Sequence, residues 1–259
     1  MPKFAANLSM MFTELPFLER FEAAATAGFN AVEYLFPYDF EKSLIAEKLE
    51  AHSLEQALFN AHAGDWDGGE RGLATLEGRQ QDFRDSITQA LDYARALECP
   101  KIHIMAGISD VTAKTEALYV ENVRRAADLA AAFDIEVLVE PINARDMPGY
   151  FLGSVAQAID LLKRIDRPNA RLQFDYYHAQ ITEGDVTMLM RDSIDSIGHI
   201  QIASVPERNE PDTGELSYPY VLAELDAAGY RGWVGCEYRP AGETTAGLGW
   251  LAAYRNEAK

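Results

Sequence analysis

Four polar residues stand at the ends of four consecutive apolar segments in this chain. They are Glu140 in VLVEP, Asp175 in LQFDYYH, Gln201 in HIQIA and Glu237 in VGCEY. Each step along the chain, from 140 to 175, 201 and then 237, is close to the length of one strand plus one helix. Three carboxylates and one carboxamide brought together would form a site of oxygen ligands, which favours Mg²⁺ or Mn²⁺ over metals that prefer thiolates. The pattern predicts a divalent metal site with these four residues as ligands.

The elements that must position these residues form an alternating series. Eight short apolar segments, which we predict as strands, cover residues 4–8, 31–35, 56–61, 101–106, 136–141, 171–175, 199–203 and 233–237. Longer segments with helical periodicity separate them, including those that follow Pro16, Ser154 and Pro219, which are residue types that favour helix starts. The length of 259 residues is close to the ~250 of a typical (β/α)₈ barrel. We predict an α/β fold with a single TIM-barrel domain over residues 1–259, whose strand ends carry the site.

The alternation of side chains along a strand adds two candidate partners of the ligands. Gln173 and His199 each precede a strand-end residue by two positions and should therefore also face the barrel interior. Because buried polar groups need hydrogen-bond partners, we predict that both side chains bind the metal ligands. An ordinary hydrogen-bonded core histidine is an equally good interpretation of His199. The same alternation predicts that Glu136 and Arg171 lie inside the barrel, beneath the site.

Two residues on the following loops are candidates for substrate binding. His178 lies one short turn after Asp175, in DYYH, and is predicted to lie at the barrel mouth. Arg208 follows the seventh strand in SVPER, where its guanidinium could hold a carboxylate through two hydrogen bonds. A solvated surface arginine is the alternative interpretation. His103, in the fourth predicted strand, is better explained as a packed histidine than as a ligand.

The charge balance narrows the classes of partner. The chain has 41 acidic and 23 basic residues and a formal net charge of −18, which repels phosphate backbones and anionic membranes. We therefore expect neither nucleic acid nor a membrane as a partner, and an anionic substrate would need a local cationic pocket. The chain lacks a signal-like amino-terminal segment and any run of ~18 apolar residues, which predicts a cytoplasmic protein. The two cysteines, Cys99 and Cys236, lack CxxC spacing and are predicted to be reduced and buried.

One loop resembles a calcium-binding loop only superficially. The segment DWDGG at 65–69 begins like an EF-hand loop, but Leu76 occupies the position of the last ligand. We interpret the segment as part of a long loop after the third strand and as a candidate lid.

Several longer motifs resemble the hydroxypyruvate isomerase family, within the xylose-isomerase-like barrels. These motifs are VEPIN at 139–143, DMPGYFL at 146–152, QFDYYHAQ at 173–180, HIQIASVPERNEPDTGE at 199–215 and GCEYRPAGETTAGLGW at 235–250. The resemblance runs from one end of the chain to the other and implies that Glu140 and Glu237 are both metal ligands and an acid/base pair. It implies that Asp175 and Gln201 complete the metal shell. Close relatives that look almost the same isomerise 2-oxo-tetronates, and the oligomeric state, including a homo-oligomer, stays open.

The expected reaction interconverts hydroxypyruvate and tartronate semialdehyde through an enediol. Glu140 and Glu237 would exchange protons with neighbouring carbons, His178 would polarise a substrate oxygen and Arg208 would bind the substrate carboxylate. A hydride shift between the two carbons, which needs no such base, remains open.

The sequence leaves three alternative functions open. A ketose 3-epimerase would use the same four ligands, and a barrel that only binds a metabolite would not need two carboxylates placed for proton transfer. An apurinic endonuclease needs a three-zinc cluster rich in histidine and a cationic face, which a chain with five histidines and this charge fits poorly.

Overall fold

Eight parallel strands close into a barrel in the computed structural model, which describes residues 1–254. The strands in chain order are β1 (Lys3–Asn7), β2 (Ala31–Tyr34), β3 (Glu55–Asn60), β4 (Lys101–His103), β5 (Glu136–Val139), β6 (Ala170–Asp175), β7 (Ile197–Ile202) and β8 (Trp233–Cys236). Each strand pairs with its neighbours in sequence, and β1 pairs with β8 to close the barrel. The predicted α/β barrel is therefore confirmed, and each predicted strand overlaps an observed one.

The helices lie between the strands in sequence. They are α1 (Arg20–Thr26), α2 (Lys42–His52), α3 (Gln80–Ala96), α4 (Ala113–Ala131), α5 (Val155–Ile165), α6 (Tyr176–Thr182), α7 (Val186–Ser193) and α8 (Tyr218–Ala227). Short 3₁₀ helices precede α1 and follow α7, and another covers Thr244–Tyr254. No helix among residues 1–254 is long and apolar enough to cross a membrane.

Local sequence signals explain where several helices begin and end. The hydroxyl of Ser154 accepts a hydrogen bond from the backbone N–H of Gln157 at 3.2 Å, which confirms the predicted N-cap of α5. Gly28 follows α1 with a φ of 89°, a left-handed conformation that glycine adopts without steric cost. The short helix α6 was not predicted as a helix. It begins directly after β6 because the Asp175 carboxylate caps its first turn.

The barrel interior is polar near the carboxyl ends of the strands, as expected. The buried polar side chains there are Asn7, Glu33, Asn60, His103, Gln173, His199 and Gln201. The apolar core lies instead between the sheet and the helices, where residues such as Phe21, Ile87 and Leu161 are buried. Both cysteines are free and buried, which confirms that prediction.

Glu136 and Arg171 are not enclosed beneath the site. Both lie at the amino-terminal ends of their strands, where about 30% of each side chain is exposed and their nearest charged atoms are 3.8 Å apart. Glu136 also forms an ion pair with Lys101. The register shift beside Arg171 skips Gly198 on β7 and leaves the alternation along β6 unbroken, so the exposure of these two side chains follows from their place at the amino-terminal end of the barrel.

Candidate active site

The carboxyl groups of Glu140, Asp175 and Glu237 converge at one end of the barrel together with the imidazole of His178. One potential ligand atom from each of the four lies within 4.8 Å of the others, and all four residues are buried. Within the described part of the chain, no other group of three or more His, Cys, Asp and Glu side chains is arranged in this way. The three predicted carboxylate ligands are therefore brought together by the fold.

Two carboxylate oxygens in this cluster lack a hydrogen-bond partner. Asp175 uses Oδ1 to accept from the backbone N–H of Tyr177 at 2.8 Å, and its Oδ2 has no hydrogen bond. Glu140 Oε1 likewise has none. Because buried acceptors without donors are costly, these two oxygens fit a group that supplies positive charge.

Burial and mutual repulsion raise the pKa values of the three carboxyl groups. The pKa of Asp175 rises to about 6 and that of Glu237 to about 8, in both cases mainly because of burial and despite the opposing effect of Arg208. The pKa of Glu140 lies well above its ordinary value because of burial, Glu237 and Asp175. A divalent cation would favour the ionised forms of all three, so the donor set and its electrostatics fit a divalent cation with a preference for oxygen ligands.

Gln201, the fourth predicted ligand, is buried and lies beside Asp175 in the pairing of β6 with β7. Its Oε1 accepts a hydrogen bond from Gln173 Nε2 at 2.7 Å, so Gln173 contacts one of the four predicted ligands. Its Nε2 donates to Glu33 Oε1 at 2.8 Å. The role of Gln201 as a ligand stays a prediction.

His199 contacts a different residue from the one expected. Its Nε2 lies 2.7 Å from Oε2 of Glu33 and its Nδ1 has no hydrogen bond, so it touches the predicted ligands only through Glu33. This contact agrees with the alternative interpretation of His199 as a hydrogen-bonded core histidine, and its expected bond to a ligand residue is taken up by Glu33. Asn7 Nδ2 bridges this carboxylate, at 3.1 Å, to Oε1 of Glu237, at 3.3 Å.

Glu33 and Asn7 were missed at the sequence level although a signal was present. Each is a polar residue within a strand whose other residues are mostly apolar, AVEYL for Glu33 and FAANL for Asn7. A polar side chain at such a position, on a strand of a closed barrel, must point either into the interior or towards the packed helices.

Arg208 is buried rather than solvated on the rim. Its Nη2 lies 2.6 Å from Glu237 Oε2 and 3.7 Å from Asp175 Oδ2, and its Nη1 lies 3.0 Å from Asp146 Oδ2. The guanidinium also stacks over the ring of Tyr177, 4.7 Å from its centroid. Burial lowers the pKa of Arg208, but the surrounding carboxylates, Glu237 first, more than offset this effect and raise it. The site therefore contains a permanent cation beside its carboxyl groups.

His178 belongs to the same cluster. Its Nε2 lies 3.5 Å from Asp175 Oδ2 and 3.9 Å from Glu140 Oε1, and its Nδ1 lies 2.6 Å from Asn143 Nδ2. Burial, with smaller effects from Arg208 and His103, lowers the pKa of His178 well below its ordinary value, which keeps the imidazole neutral.

His103 is a packed histidine, as predicted, although it borders the site. Its Nδ1 lies 3.2 Å from Asn60 Oδ1 and 3.7 Å from Glu140 Oε2. Burial, helped by His199, lowers its pKa to about 3, so it is neutral.

Sequence and structure comparisons agree with this architecture. The xylose isomerase-like TIM barrel family matches residues 21–254. A 2-oxo-tetronate isomerase from Cupriavidus necator is 54% identical, over 98% of this chain and 99% of that protein. A hydroxypyruvate isomerase from Escherichia coli is 45% identical, over 98% of this chain and 100% of that protein.

A solved structure is equally similar. The crystal structure from Brucella melitensis described as "AP endonuclease, family 2" is 55% identical and has a TM-score of 0.97, over 99% of this chain and 100% of that one. This chain belongs to the xylose isomerase-like TIM barrel family and, within it, to the group of hydroxypyruvate isomerases and 2-oxo-tetronate isomerases.

Proposed function

We propose that this protein is a divalent-metal-dependent isomerase that moves a carbonyl group between neighbouring carbons of a short 2-oxo acid. The reaction that we propose interconverts hydroxypyruvate and tartronate semialdehyde. The observation that carries the proposal is the convergence of Glu140 and Glu237 beside Arg208, which provides two proton-transfer groups and a carboxylate-binding cation in one buried site. The names of the relatives support an isomerase.

The two glutamates divide the proton transfer between them. Moving the carbonyl from C2 to C3 removes a proton from C3 and adds one to C2, while the hydroxyl and carbonyl oxygens exchange a proton. Glu140 and Glu237 come from β5 and β8, on different sides of the barrel, so each can serve one carbon of a planar enediol. One carboxylate would accept the proton from the first carbon, and the carboxyl group on the other side would deliver a proton to the second carbon.

The remaining groups hold the substrate. Arg208, beside Glu237, would bind the substrate carboxylate with its guanidinium, and neutral His178 would hydrogen-bond a substrate oxygen. Glu140, Asp175, Gln201 and Glu237 would hold the cation, which when bound supplies positive charge that acidifies the C–H bond beside the carbonyl and stabilises the enediolate.

A 2-oxo-tetronate is the second candidate substrate. It differs from hydroxypyruvate by a hydroxymethyl group on C3, so the same proton transfers apply to both acids. The higher identity to the Cupriavidus necator protein, 54% against 45% for the Escherichia coli protein, favours the larger acid.

A substrate panel in D₂O tests the proposal. Hydroxypyruvate, a 2-oxo-tetronate and a ketohexose would be incubated with the Mn²⁺-loaded protein, and products and deuterium incorporation would be followed by NMR. We expect isomerisation of a short acid, with deuterium entering the substrate carbon skeleton. Conversion of the ketohexose alone would indicate a 3-epimerase. Binding of an acid without conversion or exchange would indicate a barrel that only binds a metabolite.

Abasic DNA belongs in the same experiment because the similar structure from Brucella melitensis is called an AP endonuclease. The site contains one histidine in its group of four, and the chain carries a net charge of −18, which opposes binding to a phosphate backbone. We expect no cleavage of abasic DNA with Zn²⁺ present. If the protein cleaved abasic DNA faster than it isomerised the 2-oxo acids, a nuclease would replace the proposed isomerase.

A further inference from the structure

Asn143, in the loop that follows β5, forms three hydrogen bonds that link this loop to the site. Its Oδ1 lies 2.9 Å from the backbone nitrogen of Asp146. Its Nδ2 lies 2.6 Å from His178 Nδ1, and its own backbone nitrogen lies 3.4 Å from the same atom. Asn143 is fully buried, so water does not compete for these bonds.

The polarity of two backbone groups decides the direction of these bonds. A backbone N–H can only donate, so the atom of Asn143 that faces the N–H of Asp146 must be the acceptor oxygen. The amide nitrogen is then the atom that faces His178, and it too can only donate. His178 Nδ1 therefore receives two donors, one from the side chain and one from the backbone of Asn143. A nitrogen that accepts hydrogen bonds carries no proton, so the proton of the neutral ring sits on Nε2.

We infer that Asn143 is a positioning residue that holds His178 in the tautomer with its proton on Nε2. Nε2 is the ring atom that faces the carboxyl cluster, 3.5 Å from Asp175 Oδ2 and 3.9 Å from Glu140 Oε1. A protonated ring nitrogen has no lone pair for a metal. His178 is thus a hydrogen-bond donor into the site and not a ligand of the cation, although its position within the cluster would allow either role. Its donation to a substrate oxygen rests on the proposed isomerase function, whereas the tautomer itself does not.

The same loop also holds the second substrate contact. Asp146, whose N–H orients the Asn143 amide, accepts from Arg208 Nη1 at 3.0 Å and from the Tyr177 hydroxyl at 3.1 Å. The loop segment 143–146 therefore fixes the donor direction of His178 and the position of Arg208 at once.

The tautomer can be measured directly in the Mg²⁺-loaded protein. With ¹⁵N-labelled histidine, NMR distinguishes a protonated from an unprotonated ring nitrogen, and His178→Gln assigns the signals among the five histidines. We expect an unprotonated Nδ1 and a protonated Nε2 for His178. Asn143→Asp keeps the acceptor for the N–H of Asp146 but presents a second acceptor to the ring, so we expect Nδ1 of His178 to become protonated. Tyr177→Phe removes a hydroxyl of α6 that donates to Asp146, without touching Asn143, and should leave the tautomer unchanged.

A protonated Nδ1 in the wild-type protein, or an unprotonated Nδ1 in Asn143→Asp, would overturn the inference. If Asn143→Asp fails to fold, Asn143→Ala replaces it. We then expect a mixture of both His178 tautomers. A single tautomer, unchanged from the wild type, would contradict the inference. These readouts need no substrate, so they stand even if the substrate panel overturns the proposed isomerase.

Kinetics and metal binding test the donor role. We expect Asn143→Asp to lower kcat by ~10²-fold, as is typical when one donor to a developing oxyanion is lost. Its affinity for Mn²⁺, measured by calorimetry, should not weaken. A wild-type kcat in a variant whose Nδ1 is protonated and whose Nε2 is not would remove the donor role of His178. Loss of Mn²⁺ binding in His178→Gln would instead make His178 a ligand.

Discussion

At the scale of single residues, Glu140 and Glu237 carry the strictest prediction. Glu140→Gln and Glu237→Gln keep the side-chain volume and an oxygen ligand but lose the group that exchanges protons. Each should lower kcat by ~10²-fold or more. Because weaker metal binding could imitate this loss, both variants must be assayed at saturating Mn²⁺ with the bound metal measured.

Deuterium exchange distinguishes the glutamate that removes the substrate proton from the one that returns it. If one glutamate removes the proton and the other returns it, one variant should still exchange the substrate C–H with solvent while the other does not. Wild-type rates in both fully metallated variants would disprove the two-carboxylate mechanism. Hydrogen transfer by the wild-type protein with no solvent exchange at all would favour a hydride shift.

Arg208 should contribute mainly to binding of the substrate carboxylate. Arg208→Lys keeps a positive charge beside Glu237 but cannot form two parallel hydrogen bonds to one carboxylate. We expect the KM for acid substrates to rise about tenfold or more, in line with the ~1.5–3 kcal/mol of a charged hydrogen bond. Arg231→Lys, at an exposed position, is the matched control and should leave KM unchanged. An unchanged KM in Arg208→Lys would assign the guanidinium only to the folded structure of the site.

At the scale of elements, β1, β2 and β7 are joined across the barrel by one carboxylate. Glu33 of β2 accepts from Gln201 Nε2 on β7 and from Asn7 Nδ2 on β1, and Oε1 of Gln201 therefore faces away from Glu33. The side chain occupies the space that Gly235 on β8 leaves free, since a Cβ at Gly235 would lie 2.3 Å from Glu33 Oε2. Glu33 thus decides which end of the Gln201 amide can face a cation.

Exchanging the carboxylate of Glu33 and the carboxamide of Gln201 tests whether Glu33 orients the Gln201 amide. Glu33→Gln should weaken Mn²⁺ binding by about tenfold, because the amide can present a donor to Gln201 and because contacts behind a ligand typically contribute 10–100-fold to metal affinity. The double variant Glu33→Gln/Gln201→Glu reverses the hydrogen bond and should recover most of the affinity, measured by calorimetry. Glu136→Gln, at the other end of the barrel, is the control. Equal affinity in Glu33→Gln and the wild type would show that Gln201 needs no such orientation.

At the scale of the whole molecule, the buried carboxyl groups should make stability depend on pH and metal together. In the metal-free protein the pKa of Glu237 is raised to about 8 and that of Glu140 is also raised well above its ordinary value, so the folded state holds protons that the unfolded chain has released. Stability must then fall as pH rises from about 7 towards 8. The buried histidines, whose pKa values are lowered, change little over this range because both states are already largely neutral there.

Saturating Mn²⁺ should reverse this trend, since the cation binds the ionised carboxylates of the folded protein and binding releases their protons. The free energy of unfolding in urea, measured at several pH values with and without Mn²⁺, checks both expectations. Glu237→Gln should flatten the slope of the metal-free protein. Metal-free stability that rises over this pH range would mean that the carboxyl groups are ionised in the folded state.

The sequence alone was sufficient for the order of the strands and for the strand-end residues. Apolar periodicity, helix caps such as Ser154 and left-handed glycines such as Gly28 are local signals, and a barrel places the carboxyl ends of its parallel strands together whatever the details of packing. Glu140, Asp175 and Glu237 could therefore be expected to converge before their distances were known.

Tertiary structure alone decided how these residues are supported. Glu33 and Gln201 are 168 positions apart in sequence and meet because of the barrel register and its irregularities, which no local pattern specifies. His199 meets Glu33 for the same reason. The burial of Arg208 and its contact with Asp146 likewise depend on how two loops from different strands pack over the barrel mouth.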